Sequence, residues 1–135
     1  MRWLIRSLGY LWATPTTLLG LACFLLPMWL LRQLKPLRWR EGVWEWRISP
    51  NSRFWRRYSM RGWSATTLGY CVFYSPGSET SPSTAVHERR HVWQVLWWGP
   101  LFFPAYGLCH LLYGYRRNPF EVDAYAWEAR HAKPL

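Results

Sequence analysis

Apolar and polar positions divide the chain into a succession of distinct elements. From Leu8 to Leu31 run 24 consecutive uncharged residues, broken only by Pro15 and Pro27. At about 1.5 Å per residue such a helix exceeds the roughly 30 Å of a bilayer core, which predicts a transmembrane helix. A buried or re-entrant hairpin broken at Pro15 is the competing reading. Residues 34 to 61 are basic and aromatic, and ValTrpGluTrpArgIle at 43 to 48 alternates as a short strand does. ProAsnSer at 50 to 52 reads as a turn. Trp63 to Tyr74, rich in β-branched and aromatic residues, predicts the best strand, with Gly69 marking a bulge or a close approach to another backbone. The polar stretch 75 to 84 is a loop, with Ser83 or Thr84 as N-cap of a helix that starts at Ala85 and stops at Gly99 and Pro100. Residues 101 to 115 are apolar again and predict a helix packed in the core or against a bilayer surface. Asn118 and Pro119 cap and open a last helix that ends near Arg130.

These elements predict an α+β fold with a short antiparallel sheet. Residues 1–33 form a membrane anchor, 34–62 a basic aromatic linker with an edge strand, and 63–135 the domain that carries the chemistry. A chain of 135 residues suits one domain with a modest core.

Charge and composition sharpen the membrane reading. The chain carries 17 Lys and Arg against 7 acids, a net +10, together with 12 Trp. That balance attracts polyanions, either nucleic acid or an anionic bilayer face. Indole rings concentrate at the headgroup boundary, so membrane lipids are preferred as partners over nucleic acid, although residues 53 to 61 interleave Arg with aromatic rings as a nucleic-acid groove would. Arg2 and Arg6 precede the apolar run, whereas Arg32, Lys35, Arg38 and Arg40 follow it, which places the C-terminal domain in the cytoplasm. Cys23, Cys71 and Cys109 are odd in number and widely spaced, and read as buried thiols on a reducing side. Arg89 and Arg90 read as a solvated or headgroup face.

The chemistry is concentrated in ValHisGluArgArgHisValTrp, residues 86 to 93, which contains HExxH. Residues four apart on a helix point to nearly the same side, so His87 and His91 can share one metal ion. Glu88 sits beside that ion, placed to take a proton from a water the metal activates. A catalytic zinc takes three protein ligands, and two His with one Glu is a known set. The last helix carries Glu121, Ala124 and Glu128 on one side, and Ala124 is small enough to let it lie close to the HExxH helix. Glu121 is therefore the third ligand.

HisGluArgArgHis followed by GluValAspAla resembles the gluzincin metallopeptidases. It is similar in particular to small bacterial zincin-like domains that carry HExxHxxQ and then AsnProPheGlu with Ala three residues later. The resemblance covers roughly Trp63 to Arg130. It implies a minimal zincin-like domain, Zn2+ as cofactor, a peptide or protein substrate, and a place at a bacterial inner membrane. Many gluzincins have Asp four residues after the ligand Glu to orient a metal-bound His; here that place is Tyr125, with Asp123 as an alternative. Gln94, seven residues after His87, returns to the metal side, where it can touch a ligand or substrate. His110 is a further candidate, with a hydrogen-bonded core histidine as its ordinary role. Tyr106, Tyr113 and Tyr115 are alike as oxyanion donors, and nothing singles one out. The expected function is thus a membrane-associated zinc peptidase with Glu88 as general base. The alternatives are an inactive zinc-binding interaction or sensor module, and a basic, Trp-rich membrane or nucleic-acid binder.

Overall fold

The computed structural model describes residues 2–53, 56–57, 62 and 64–132, with side chains for all of these but 2–6 and 24. The Arg and aromatic segment 53 to 61 lies largely outside the described residues. The chain is α+β: a four-stranded sheet, helices, and an apolar N-terminal helix. That helix comprises α1 (Arg2–Gly20), a π turn (Leu21–Leu25) and α2 (Leu26–Leu30). It is not a free-standing anchor, because Ala13, Thr17 and Met28 are buried against the rest of the protein.

Residues 34 to 40, expected as linker, form a strand. β1 (Leu34–Arg40) pairs antiparallel with β2 (Val43–Ile48), from Leu34 opposite Ile48 to Arg40 opposite Val43. Glu41 and Gly42 close the hairpin with φ of 55° and 81°, the two positive values that a type I′ turn requires. The expected single strand from Trp63 to Tyr74 is two strands, β3 (Ala65–Leu68) and β4 (Cys71–Tyr74), folded back at Gly69. A side chain is excluded there: φ is +62°, and a Cβ would lie 1.9 Å from Thr17 Oγ1 of α1. The close backbone approach expected at Gly69 is thus with α1.

The sheet is mixed rather than antiparallel, in the order β1-β2-β4-β3, because β2 and β4 run parallel. β3 takes the outer position, and β4 lies between it and β2. One face, with Trp46, Ile48, Cys71 and Phe73, packs on Met28 and Leu34. The other, with Val43, Val72 and Tyr74, packs on Val92, Val95 and Leu96. Burial pushes the Cys71 thiol up to about 12, while Cys23 is exposed and Cys109 half-buried rather than buried as expected.

Helices on the C-terminal side of the sheet complete the described domain. α3 (Pro82–Trp98) is capped by Ser81, not Ser83 or Thr84, since Pro82 opens the helix and Ser81 Oγ accepts from the Thr84 amide at 3.3 Å. α4 (Phe102–Tyr113) buries Phe102 but leaves Leu108, Leu111 and Leu112 exposed, so only its first half belongs to the core. α5 (Pro119–His131) opens with Asn118 Oδ1 accepting from the Phe120 amide at 3.1 Å. Arg89 and Arg90 are not a solvated face. Arg89 bridges Glu41 and the fully buried Glu45, and Arg90 holds Asp123, because these three carboxylates face α3. Two stretches, Ser7–Leu30 and Pro82–Tyr113, are long and apolar enough to cross a membrane. The second is divided at Gly99 into helices of 17 and 12 residues, and α3 turns seven side chains into the core.

Candidate metal centre

α3 and α5 lie antiparallel. Gln94 Nε2 donates to the Phe120 carbonyl at 2.9 Å, Arg90 clamps Asp123 at 2.6 and 2.9 Å, and His87 Nδ1 meets Glu128 Oε2 at 3.1 Å. Ala124, fully buried between them, permits the close approach. This pairing sets Glu121 opposite the histidine turn. The two histidine Nε2 atoms are 3.1 Å apart, and Glu121 places one oxygen 3.3 Å from each of them. All three side chains are buried.

The hydrogen positions follow from the outer partners. Gln94 commits its amide nitrogen to the Phe120 carbonyl and Asp123, so its Oε1 faces His91 Nδ1 at 2.8 Å and accepts that proton. Glu128 likewise accepts from His87 Nδ1. With both Nδ1 atoms protonated, neutral rings turn two Nε2 lone pairs on the Glu121 carboxylate. Glu121 Oε2 is buried without a hydrogen-bond partner among the described residues. Such converging acceptors are satisfied by a cation. Each histidine Nε2 thus faces its own Glu121 oxygen at 3.3 Å, close to the separation of about 3.3 Å between ligands held at about 2.0 Å on tetrahedral corners. The buried group of His87, His91 and Glu121 is able to hold a metal ion.

The local field points the same way. Burial alone would raise the Glu121 carboxyl, but in the metal-free protein hydrogen bonds from His87 and His91, once a proton sits on Nε2, and from Tyr106 outweigh it and hold the group well below the usual carboxylate range. Burial opposes a charge on His91, yet Glu121 and Glu88 overcome that and raise its pKa above the ordinary value. Metal and proton compete for the same lone pair. A raised histidine pKa means that protonation begins at higher pH than in a free histidine. Apparent metal affinity should therefore fall as pH falls through the histidine range, in a titration read with a chromophoric chelator. An affinity that does not change with pH across that range would speak against histidine ligands.

Glu88 lies in the same helical turn. Thr67 Oγ1 of β3 donates to its Oε2 at 2.7 Å. Burial raises the Glu88 carboxyl, and His91 and the Thr67 hydrogen bond offset part of the rise. A raised carboxyl suits proton transfer near neutral pH.

The remaining expected residues separate clearly. Gln94 holds the His91 ring. Asp123 touches neither histidine; it accepts from Arg90, which lowers its pKa, and from Gln94. Tyr125 lays its ring against His87, with centroids 4.5 Å apart. His110 is exposed, stacked on Tyr106 at 6.4 Å, and is neither a core histidine nor part of the ligand group. Three contributors were not foreseen. Glu128, rather than Asp123, supplies the carboxylate on His87; its place seven residues after Glu121, on the same helical side, was the signal. Tyr106 donates to Glu121 Oε1 at 2.6 Å. Thr67 is reached only through the sheet, and no spacing along the chain points to it.

Replacing Glu128 with Ala frees the His87 ring and should lower metal affinity about 10- to 100-fold, measured by chelator competition. An unchanged affinity would show that Glu128 does not orient His87. Comparison with protein-family models, with curated proteins and with solved structures returned no match.

Proposed function

We propose that this protein is a membrane-associated zinc-dependent peptidase of the gluzincin type, built on a minimal zincin-like domain. The observation that carries the reading is the buried group of two histidine Nε2 atoms 3.1 Å apart and a Glu121 carboxylate that sets one oxygen 3.3 Å from His87 and the other 3.3 Å from His91, with a buried carboxylate in the same helical turn. Two imidazoles and one carboxylate form a donor set used by catalytic zinc, which keeps one position free for chemistry. Zinc bound by His87, His91 and Glu121 would supply Lewis acidity, lowering the pKa of a water towards about 7 and polarising a peptide carbonyl.

The chain's own residues do the rest. Glu88 accepts the proton lost by the attacking water and returns it to the departing amine. Thr67 fixes the Glu88 carboxylate, and Tyr106 fixes that of Glu121. Glu128 and Gln94 hold the imidazoles in the tautomer that presents Nε2. A peptide or protein substrate follows from the resemblance in the motifs. The basic residues around the apolar helix favour the anionic, cytoplasmic face of a bacterial inner membrane.

The test is hydrolysis of a quenched peptide library by purified full-length protein. Activity should vanish on chelation and return with zinc. One zinc per chain without hydrolysis would favour the second reading, a metal-stabilised interaction or sensor module. The burial of His87, Glu88, His91 and Glu121, each 7% exposed or less, is the observation on its side.

A further inference from the structure

In the N-terminal helix the outward face is more apolar than the inward one. Leu8, Leu11, Leu18, Leu19, Leu26 and Leu30 are all exposed and recur at helical spacing along one stripe. Trp12 and Trp29, also exposed, stand towards its two ends. The inward side carries Tyr10, Thr14 and Thr17, whose hydroxyls bond to Gly42 O, Tyr10 O and Ala13 O. A surface helix in water has the opposite polarity. Lipid is the medium that fits this arrangement.

The packing then decides how lipid is met. The helix touches the domain over most of its length: Gly9 lies against Leu96, Trp12 against Gly99, Thr17 against Gly69 and Gly20 against Leu68. Met28 clusters with Leu34 and Ile48. Beyond Leu34, β1 runs back along the sheet to the hairpin turn that Tyr10 touches. β1 is an edge strand, with Lys35, Arg38 and Arg40 exposed. Were the helix to cross the bilayer, it would carry this open edge and its cations into hydrocarbon, where neither is tolerated.

Resting on the membrane-associated reading above, we infer that residues 8–30 lie in the plane of one anionic leaflet, with the leucine stripe in the acyl region and the domain on a single side. Trp12 and Trp29 then sit at headgroup level, and Arg32 and Lys35 meet lipid phosphates. A substrate reaching the metal centre would accordingly be a polypeptide segment next to the membrane surface.

The experiment uses the full chain with vesicles of phosphatidylcholine, alone or mixed with phosphatidylglycerol. Depth probes are attached through Leu8→Cys, Leu19→Cys or Leu30→Cys in a Cys23→Ser, Cys109→Ser background, with Cys71 shielded by burial. The inference requires flotation that strengthens with phosphatidylglycerol, and one shallow depth at all three positions. Leu19→Glu should cut flotation about tenfold or more while leaving the bound metal at its wild-type level. A profile deepest at Leu19, with Leu8 and Leu30 labelled from opposite sides by an impermeant reagent, overturns the in-plane arrangement and leaves membrane association standing. Absence of flotation with either vesicle, with the chain recovered as a soluble dimer, overturns both.

Discussion

Glu88→Gln is expected to retain its metal and to hydrolyse peptides about 10²- to 10⁴-fold more slowly. Glu88 is not among the three side chains whose donor atoms approach to 3.1 to 3.3 Å, so its replacement leaves those donors intact. Gln is nearly isosteric and can still accept the Thr67 hydrogen bond found at 2.7 Å. It also removes a buried carboxyl whose charged form burial disfavours, so folding stability should hold or rise. What it lacks is the ability to take a proton. The loss should fall on kcat with KM little changed, as for a group acting only in the transition state. Metal content and steady-state kinetics on one preparation decide the matter. Full activity in the variant would remove Glu88 from the mechanism.

His87→Ala should lose its metal. Orienting partners alone are worth about 10- to 100-fold in affinity, and a direct ligand should cost on the order of a thousandfold or more. The substitution also strands Glu128, leaves Tyr125 without the ring it packs on, and opens a cavity between α3 and α5. Because binding to the folded form stabilises it, zinc should raise the Tm of the wild type but not of the variant. One zinc per chain in purified His87→Ala would refute the ligand assignment. Glu121→Ala is the companion experiment. It should lose metal likewise, because the two Glu121 oxygens face the two histidine nitrogens at 3.3 Å and Oε2 has no hydrogen-bond partner among the described residues.

Much of the candidate site was legible in the sequence because it is written in helical spacing. His87 and His91 are one turn apart, Gln94 returns to the same side, and Asn118–Pro119 opens a helix whose register brings Glu121, Ala124 and Glu128 onto one face. These relations need only the 3.6-residue repeat and cap chemistry. The partner of the His87 ring was harder. Glu128 was placed on the correct face, but its role depends on α5 running antiparallel to α3, which places Glu128 beside His87 and Phe120 beside Gln94. Arg90 read as solvated for the same reason, since its partner Asp123 lies 33 positions away. The hairpin of β1 and β2 was missed because Glu41 occupies a positive-φ position more usual for Asn, Asp or Gly.

By itself, then, the sequence determined the α+β class, the apolar character of residues 8–31, and which side chains share each helical face, because each depends on periodicity and local backbone preference. Tertiary structure alone decided that His87, His91 and Glu121 come together, that Glu128 supports His87 and Thr67 supports Glu88, and that the apolar helix is sewn to the domain through Gly9, Thr17 and Gly20. Those outcomes depend on the relative placement of elements far apart in the chain, which is fixed by packing volume and by the demand that every buried polar atom find a partner.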